Sequence, residues 1–182
     1  MTRSLRLARR TTVATTQDTL AIEPLLIRSD EDLLAAMRFA AQHPSTRIIG
    51  IIDDTGRLTG VVPVAVLAQA VVAHAVPEAF FAGSGDIADI GQFAQALEAR
   101  TLGDIAMPPA SITGDSTIGD AFRQMHRRRL SGLYVVDADG RPTGYLDLQE
   151  LAMLYVEALE EEQGTRPARV ADVQDPPVRD DA

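Results

Sequence analysis

Residues 48–62 read IIGIIDDTGRLTGVV, and residues 132–146 read GLYVVDADGRPTGYL. Asp53, Gly56, Arg57, Thr59 and Gly60 of the first stretch return 84 positions later as Asp137, Gly140, Arg141, Thr143 and Gly144. Each stretch is an apolar run, an acidic-glycine turn and a second apolar run, the pattern of two strands joined by a tight hairpin. Leu67, Ala68 and Val72 come back at the same spacing as Leu151, Ala152 and Val156, so the segment after each hairpin repeats as well. An internal repeat of this length means two copies of one supersecondary unit.

Outward from the first hairpin, Leu25 to Ile27 reads as a short strand behind Pro24. Ser29 and Asp32 make a capping-box pattern, followed by Leu33, Ala36, Met37 and Ala40 at helical spacing. Pro63 stands where a helix opens, its missing N–H costing nothing there. Val64 to Ala75 is apolar enough to be a buried helix. In the second copy Ile112 ends a short strand, and Asp115 or Ser116 is the expected cap of a helix that buries Ile118, Ala121, Phe122 and Met125. Leu148 to about residue 161 is the closing helix. Thr101 and Asp104 form another capping-box pattern ahead of Met107, Pro108 and Pro109. Between the copies, Phe80, Phe81, Phe93, Ala96 and Leu97 suggest a packed, partly helical connection.

Composition narrows the function classes. A chain of 182 residues holds one sizeable core or two small ones. Its 46% hydrophobic content is that of a globular protein, with no apolar run long enough for a membrane span. Cysteine is absent, which excludes disulfides and thiolate metal sites and is compatible with a reducing cytosol. All 17 basic residues are arginine, and the net charge of −9 argues against nucleic acid or an anionic membrane as partner of the whole surface. Arg3, Arg6, Arg9 and Arg10 make the first ten residues basic, which reads either as an anion-binding arm or as a flexible terminus. His43, His74 and His126 are too scattered for a metal cluster, and neither a GxSxG elbow nor a P-loop occurs. No enzyme activity is expected.

The second copy resembles a cystathionine β-synthase (CBS) domain. The likeness rests on Thr101-Leu102-Gly103-Asp104-Ile105-Ala106-Met107-Pro108, on Leu130 to Asp137, and on Asp139, Gly140 and Arg141 followed by Gly144. The first copy is similar more loosely, through Arg47 to Gly60. The resemblance implies an α/β (α+β) fold of tandem CBS repeats, each β-α-β-β-α, packed about a pseudo-dyad as a Bateman module. The expected segmentation is a flexible N-terminal segment over 1–16, CBS repeat 1 over 17–75, a connection over 76–100, CBS repeat 2 over 101–163 and a disordered tail over 164–182.

The resemblance also implies where a ligand sits. The family's nucleotide motif is a glycine, two apolar residues, Thr or Ser, two further residues and Asp. In the first repeat those places hold Gly60, Pro63 and Val66, which offer neither hydroxyl nor carboxylate. In the second they hold Gly144, Asp147 and Glu150; Glu150 keeps a carboxylate for a ribose diol. Ile112, Leu133 and Tyr134 are the expected wall, Tyr134 standing where the family usually has Pro and Gly50 holding the matching place in the first repeat. Asp147 puts a negative charge where a phosphate approaches, a repulsion of about 3 kcal/mol per unit charge at about 5 Å and an effective dielectric near 20. An arginine or a divalent cation offsets it, and an uncharged adenosine or a sulfonium ligand avoids it. Asp147 with Glu150 is equally a capping box for the closing helix, and two carboxylates alone are a weak basis for a metal site, so none is assigned. Arg128 and Arg129, in the basic run that ends a helix, are candidates to face phosphate or to complement the helix dipole.

The expectation is thus a cytoplasmic, non-catalytic regulatory module. It requires no cofactor and senses an adenine nucleotide or S-adenosylmethionine between its repeats. Its partners are a second copy in a homodimer and a regulated protein the sequence does not name. Two alternatives stand beside it: a dimerisation or docking module whose nucleotide sites have degenerated, and a detached regulatory subunit of a transporter or enzyme.

Overall fold

The computed structural model describes residues 11–20, 22–75 and 96–163. The Arg-rich residues 1–10, the phenylalanines of the connection and the tail after residue 163 lie outside the described residues.

The repeated acidic-glycine turns act as the sequence suggests. Asp53 Oδ1 accepts the N–H groups of Thr55 and Arg57 at 2.8 and 3.0 Å. Asp137 Oδ1 likewise accepts those of Asp139 and Arg141, both at 2.9 Å. Gly56 and Gly140 both sit at φ +79°, which a side chain tolerates poorly. Each turn closes a hairpin: β2 (Ile48–Ile52) with β3 (Leu58–Pro63), and β5 (Gly132–Val136) with β6 (Pro142–Asp147).

Each hairpin gains a parallel third strand. β1 (Leu26–Arg28) pairs with β2, Leu26 opposite Gly50; β4 (Ser111–Thr113) pairs with β5, Ser111 opposite Tyr134. Two three-stranded sheets of the same order result, with a register irregularity at the same place in each, between Ile51 and Ile52 and between Val135 and Val136.

Helices cover the sheets. α1 (Val13–Leu20) precedes the first sheet; α2 (Leu33–Ala41) and α3 (Val64–Ala75) belong to the first repeat, α4 (Ile118–Arg128) and α5 (Leu148–Gln163) to the second. Asp32 caps α2 by accepting from Leu34 and Ala35 N–H. The cap of α4 is Thr117 rather than Asp115 or Ser116, because Asp120 at N3 completes a capping box with it. Leu33, Ala36 and Ala40 of α2, with Leu67 and Ala70 of α3, bury against Ile49, Ile51 and Val62. Ile118, Ala121 and Met125 of α4 and Leu151 of α5 bury against Leu133, Val135 and Leu146.

The two repeats exchange their leading segments. Leu102 and Ile105, in a 3₁₀ turn ahead of the second repeat, are buried in the core of the first. Backbone bonds hold them there: Leu102 N–H donates to Glu31 O at 3.0 Å and Gly103 N–H to Ser29 O at 2.8 Å, while Val61 and Met107 bond each other in both directions. In return Val13, ahead of the first repeat, is buried in the core of the second, with Val13 N–H on Ser116 O at 2.9 Å and Ala14 N–H on Gly114 O at 3.0 Å. The exchange is reciprocal, as an approximate two-fold axis requires. The flexible segment expected over 1–16 is therefore shorter at its C-terminal end, since α1 begins at Val13, anchored by that buried side chain.

Candidate functional site: the seam between the repeats

Strand alternation sends Tyr134 and its cross-strand partner Tyr145 to the same face of the second sheet. That face looks toward the first repeat. The Tyr134 hydroxyl lies 2.7 Å from both Leu25 O and Ile48 O, and its single hydrogen serves one of these carbonyls at a time. The ring takes up the space above Gly50, where an added Cβ would stand 2.7 Å from Tyr134 Cζ. Tyr145 packs on Tyr134 with centroids 5.3 Å apart, and its hydroxyl fills the space above Gly132. Each bulky ring is thus matched by a glycine. Both tyrosines are fully buried. Burial, then the neighbouring Tyr145, pushes the Tyr134 phenol well above its ordinary range; burial, then the Asp147 carboxylate, does the same to Tyr145.

Beside the rings the repeats meet through charge. Asp147 ends β6 with its side chain at 0% exposure, and Arg47, from just ahead of β2, places Nη1 2.6 Å from Asp147 Oδ1. Arg47 Nη2 donates to Gln149 Oε1 at 2.7 Å, and Gln149 N–H donates back to Asp147 Oδ1 at 2.8 Å. Burying a carboxylate is costly unless it is paired and hydrogen-bonded, as Asp147 is here. The charge expected to repel a phosphate is therefore neutralised from the other repeat. Arg47 did not figure among the candidate residues. The available signal is that Arg47 aligns with Ser131 and Asp147 with Pro63, so each charge lacks a counterpart in the other repeat.

The remaining candidates divide. Glu150 lies in the first turn of α5, half-buried; Asp147 takes the Gln149 N–H, and the reciprocal Glu150 bond of a capping box is not among the described hydrogen bonds. Leu133 pairs with Leu146 and Val135 with Gly144, so Leu133 and Gly144 sit on the sheet face opposite Tyr134 and Asp147. Ile112 pairs with Val135 and is buried in the core of the second repeat. Gly144 is covered by α1: an added Cβ would stand 2.3 Å from Gln17 side-chain atoms, and Gln17 Nε2 donates to Thr143 O at 2.8 Å. In the first repeat Pro63 ends β3 and Val66 packs on that repeat's core.

The two basic candidates face elsewhere. Arg128 Nη1 donates to Pro109 O at 2.6 Å. Arg129 closes α4 in the left-handed region (φ 56°, ψ 40°) and borders a concavity of about 730 Å³ with Phe122, His126, Leu130 and Leu148. A second concavity of about 380 Å³ lies beside α2 and α3, bordered by Asp32, Leu34, Val71, His74 and Arg100. Among the described residues no group of three or more His, Cys, Asp or Glu is placed to hold a metal ion, and no helix is long and apolar enough to cross a membrane.

With this geometry in hand, residues 102–157 match the family model of the CBS domain. The second repeat is a CBS domain. Solved CBS pairs share the fold of the whole two-repeat unit. The CBS domain pair of protein MJ0100, in complex with 5′-methylthioadenosine and S-adenosyl-L-methionine, superposes with a TM-score of 0.61 at 19% identity, covering 81% of this chain and 98% of that one. A CBS domain-containing protein from Thermotoga maritima gives a TM-score of 0.62 at 19% identity, covering 87% and 98%. CBSX2 in complex with AMP gives 0.57 at 18% identity, covering 81% and 98%. No curated protein matches the chain. The fold is accordingly a CBS pair, α/β in class, with the seam of Tyr134, Arg47 and Asp147 between its two halves.

Proposed function

We propose that this chain is a non-catalytic regulatory module whose CBS pair senses an adenine-containing ligand between the repeats. The observation that carries the reading is the seam itself. Asp147 and Glu150 of the motif stand at the start of α5, and the first repeat supplies Arg47 directly to Asp147. A ligand seated there touches both halves, so its binding energy biases how they pack. Structural relatives were solved with AMP, with ATP and with S-adenosylmethionine and methylthioadenosine, which supports adenine as the shared chemistry. In this reading Glu150 takes the ribose diol and Tyr134 backs the base, while Ile112 and Leu133, on the other face of the sheet, support that strand from the core of the second repeat. The protein works in the cytoplasm as a homodimer and passes the response to a regulated protein. The exposed Leu34, Phe39 and Val72 on the first repeat and Leu148, Met153 and Val156 on the second supply apolar helix faces for such contacts.

A second reading is favoured by Tyr134. Its ring fills the space above Gly50 and its hydroxyl engages the first repeat, so the seam is closed by the chain's own aromatic group. This suits a docking or dimerisation module that binds no nucleotide.

Thermal unfolding of the full chain with AMP, ADP, ATP and S-adenosylmethionine, each with and without Mg²⁺, separates the two. A ligand at about a hundred times its dissociation constant adds about 2.7 kcal/mol, or about 5–11 °C for a domain of this size. A shift with any of them supports the sensor. An unchanged midpoint with all of them leaves the docking module.

A further inference from the structure

We propose that Asp147 serves as a resident anion for Arg47, so that the seam selects adenine ligands without a phosphate over those that carry one. The inference rests on the seam being the ligand cleft. Both terminal amino groups of Arg47 are already engaged, Nη1 with Asp147 Oδ1 at 2.6 Å and Nη2 with Gln149 Oε1 at 2.7 Å. These bonds take two of the five N–H groups and Asp147 offsets the charge, so a phosphate claims the full cation only by drawing it away from Asp147.

The displacement is lopsided. The Arg47 side chain is 38% exposed and can swing outward, whereas Asp147 is at 0% and has nowhere to follow. Removing Arg47 leaves a buried carboxylate with the Gln149 N–H at 2.8 Å and a long contact to the Tyr145 hydroxyl at 3.4 Å. Water cannot replace the lost cation there. The two basic candidates of the second repeat are placed elsewhere: Arg128 is bonded to Pro109 O, and Arg129 borders the concavity with Phe122, His126 and Leu148. An uncharged nucleoside requires no exchange of partners. A sulfonium adds attraction to the Glu150 carboxylate on the first turn of α5.

Calorimetric titration of the full chain with 5′-methylthioadenosine, S-adenosylmethionine and AMP tests this, using the wild type, Asp147→Asn, Asp147→Ser and Gln149→Ala. The wild type is expected to bind one of the phosphate-free ligands at least tenfold more tightly than AMP. Asp147→Asn, which keeps an acceptor for the Gln149 N–H but removes the charge, is expected to raise AMP affinity at least tenfold and by more than it changes methylthioadenosine affinity. Equal affinities in the wild type, or AMP binding unmoved in a folded Asp147→Asn, overturn the proposal. If the wild type binds nothing, the sensor reading fails on its own, and the variant still judges the lock: new AMP binding supports it and continued silence overturns it. Should both Asp147 variants misfold, Gln149→Ala, at an exposed position, decides through Nη2 alone. A rise of about threefold for AMP supports the lock, and no rise refutes it.

Discussion

Removing one oxygen atom from Tyr134 tests whether its hydroxyl pins the second repeat to the first. Tyr134→Phe keeps the ring, its packing on Tyr145 and its fit above Gly50, and deletes only the hydroxyl. That hydroxyl stands 2.7 Å from Leu25 O and 2.7 Å from Ile48 O in a fully buried place. Leu25 O already accepts the Gly50 N–H at 2.9 Å, so the loss falls chiefly on Ile48 O. A net hydrogen bond contributes about 1 kcal/mol, and a buried carbonyl left with a weaker partner costs about another 1, so the variant should lose about 2 kcal/mol. In a chain of this size that lowers the melting midpoint by about 4–8 °C. Urea unfolding followed by circular dichroism measures it, with Tyr155→Phe as control, because Tyr155 is only half-buried and packs on Phe122 at the outer helices. The control should stay within about 0.5 kcal/mol. Tyr134→Phe equal to wild type within that margin would refute the pinned seam.

Three further outcomes follow from the same contacts. Arg47→Ala should cost about 2–3 kcal/mol in chemical unfolding, somewhat less than breaking a wholly buried pair because the guanidinium side is 38% exposed. Adding Asp147→Asn to it should recover part of the loss, and a double variant no better than the single one contradicts the pairing. Alkaline unfolding should also be steep. The phenols of Tyr134 and Tyr145 titrate above their ordinary value in the fold, so stability is complete below about pH 10 and falls as the pH rises past it, by about 1.4 kcal/mol per pH unit for each phenol. Tyrosinate absorbance from two of the three tyrosines should then appear only with unfolding, and early ionisation of all three would contradict it. Arg129→Gly should stabilise by about 0.5–1 kcal/mol, since Arg129 holds a left-handed conformation at φ 56° that glycine adopts freely; a loss of stability in thermal unfolding contradicts that account.

Local chemistry made most of the fold legible. The Asp53 and Asp137 turns, their glycines and the apolar runs beside them give both hairpins because every determinant lies within a few residues. Strand β2 runs over the apolar Ile48–Ile52, and β6 begins two residues before Gly144, at Pro142, and ends at Asp147. The caps were less secure, because Asp115, Ser116 and Thr117 are all competent and only the partner at Asp120 decides among them. The reciprocal exchange of leading segments is not legible in the sequence, since Thr12 pairs with Thr117 and Asp32 with Thr101. No local period encodes pairings of that separation. The same holds for Arg47 and Asp147, 100 residues apart. The sequence singled out Tyr134 and Asp147 by chemistry, yet how each is used depends on what the first repeat brings opposite: Gly50 beneath the ring and Arg47 beside the carboxylate.

Hydrogen–deuterium exchange of the full chain, with and without saturating S-adenosylmethionine, addresses the seam most directly as the sensing element. Added protection should arise together in peptides spanning residues 47–50 and 131–150, one from each repeat, because a ligand between them must quiet both. Exchange that does not change, or changes only along the outer faces of α2, α3 and α4, would contradict a sensor built on this interface.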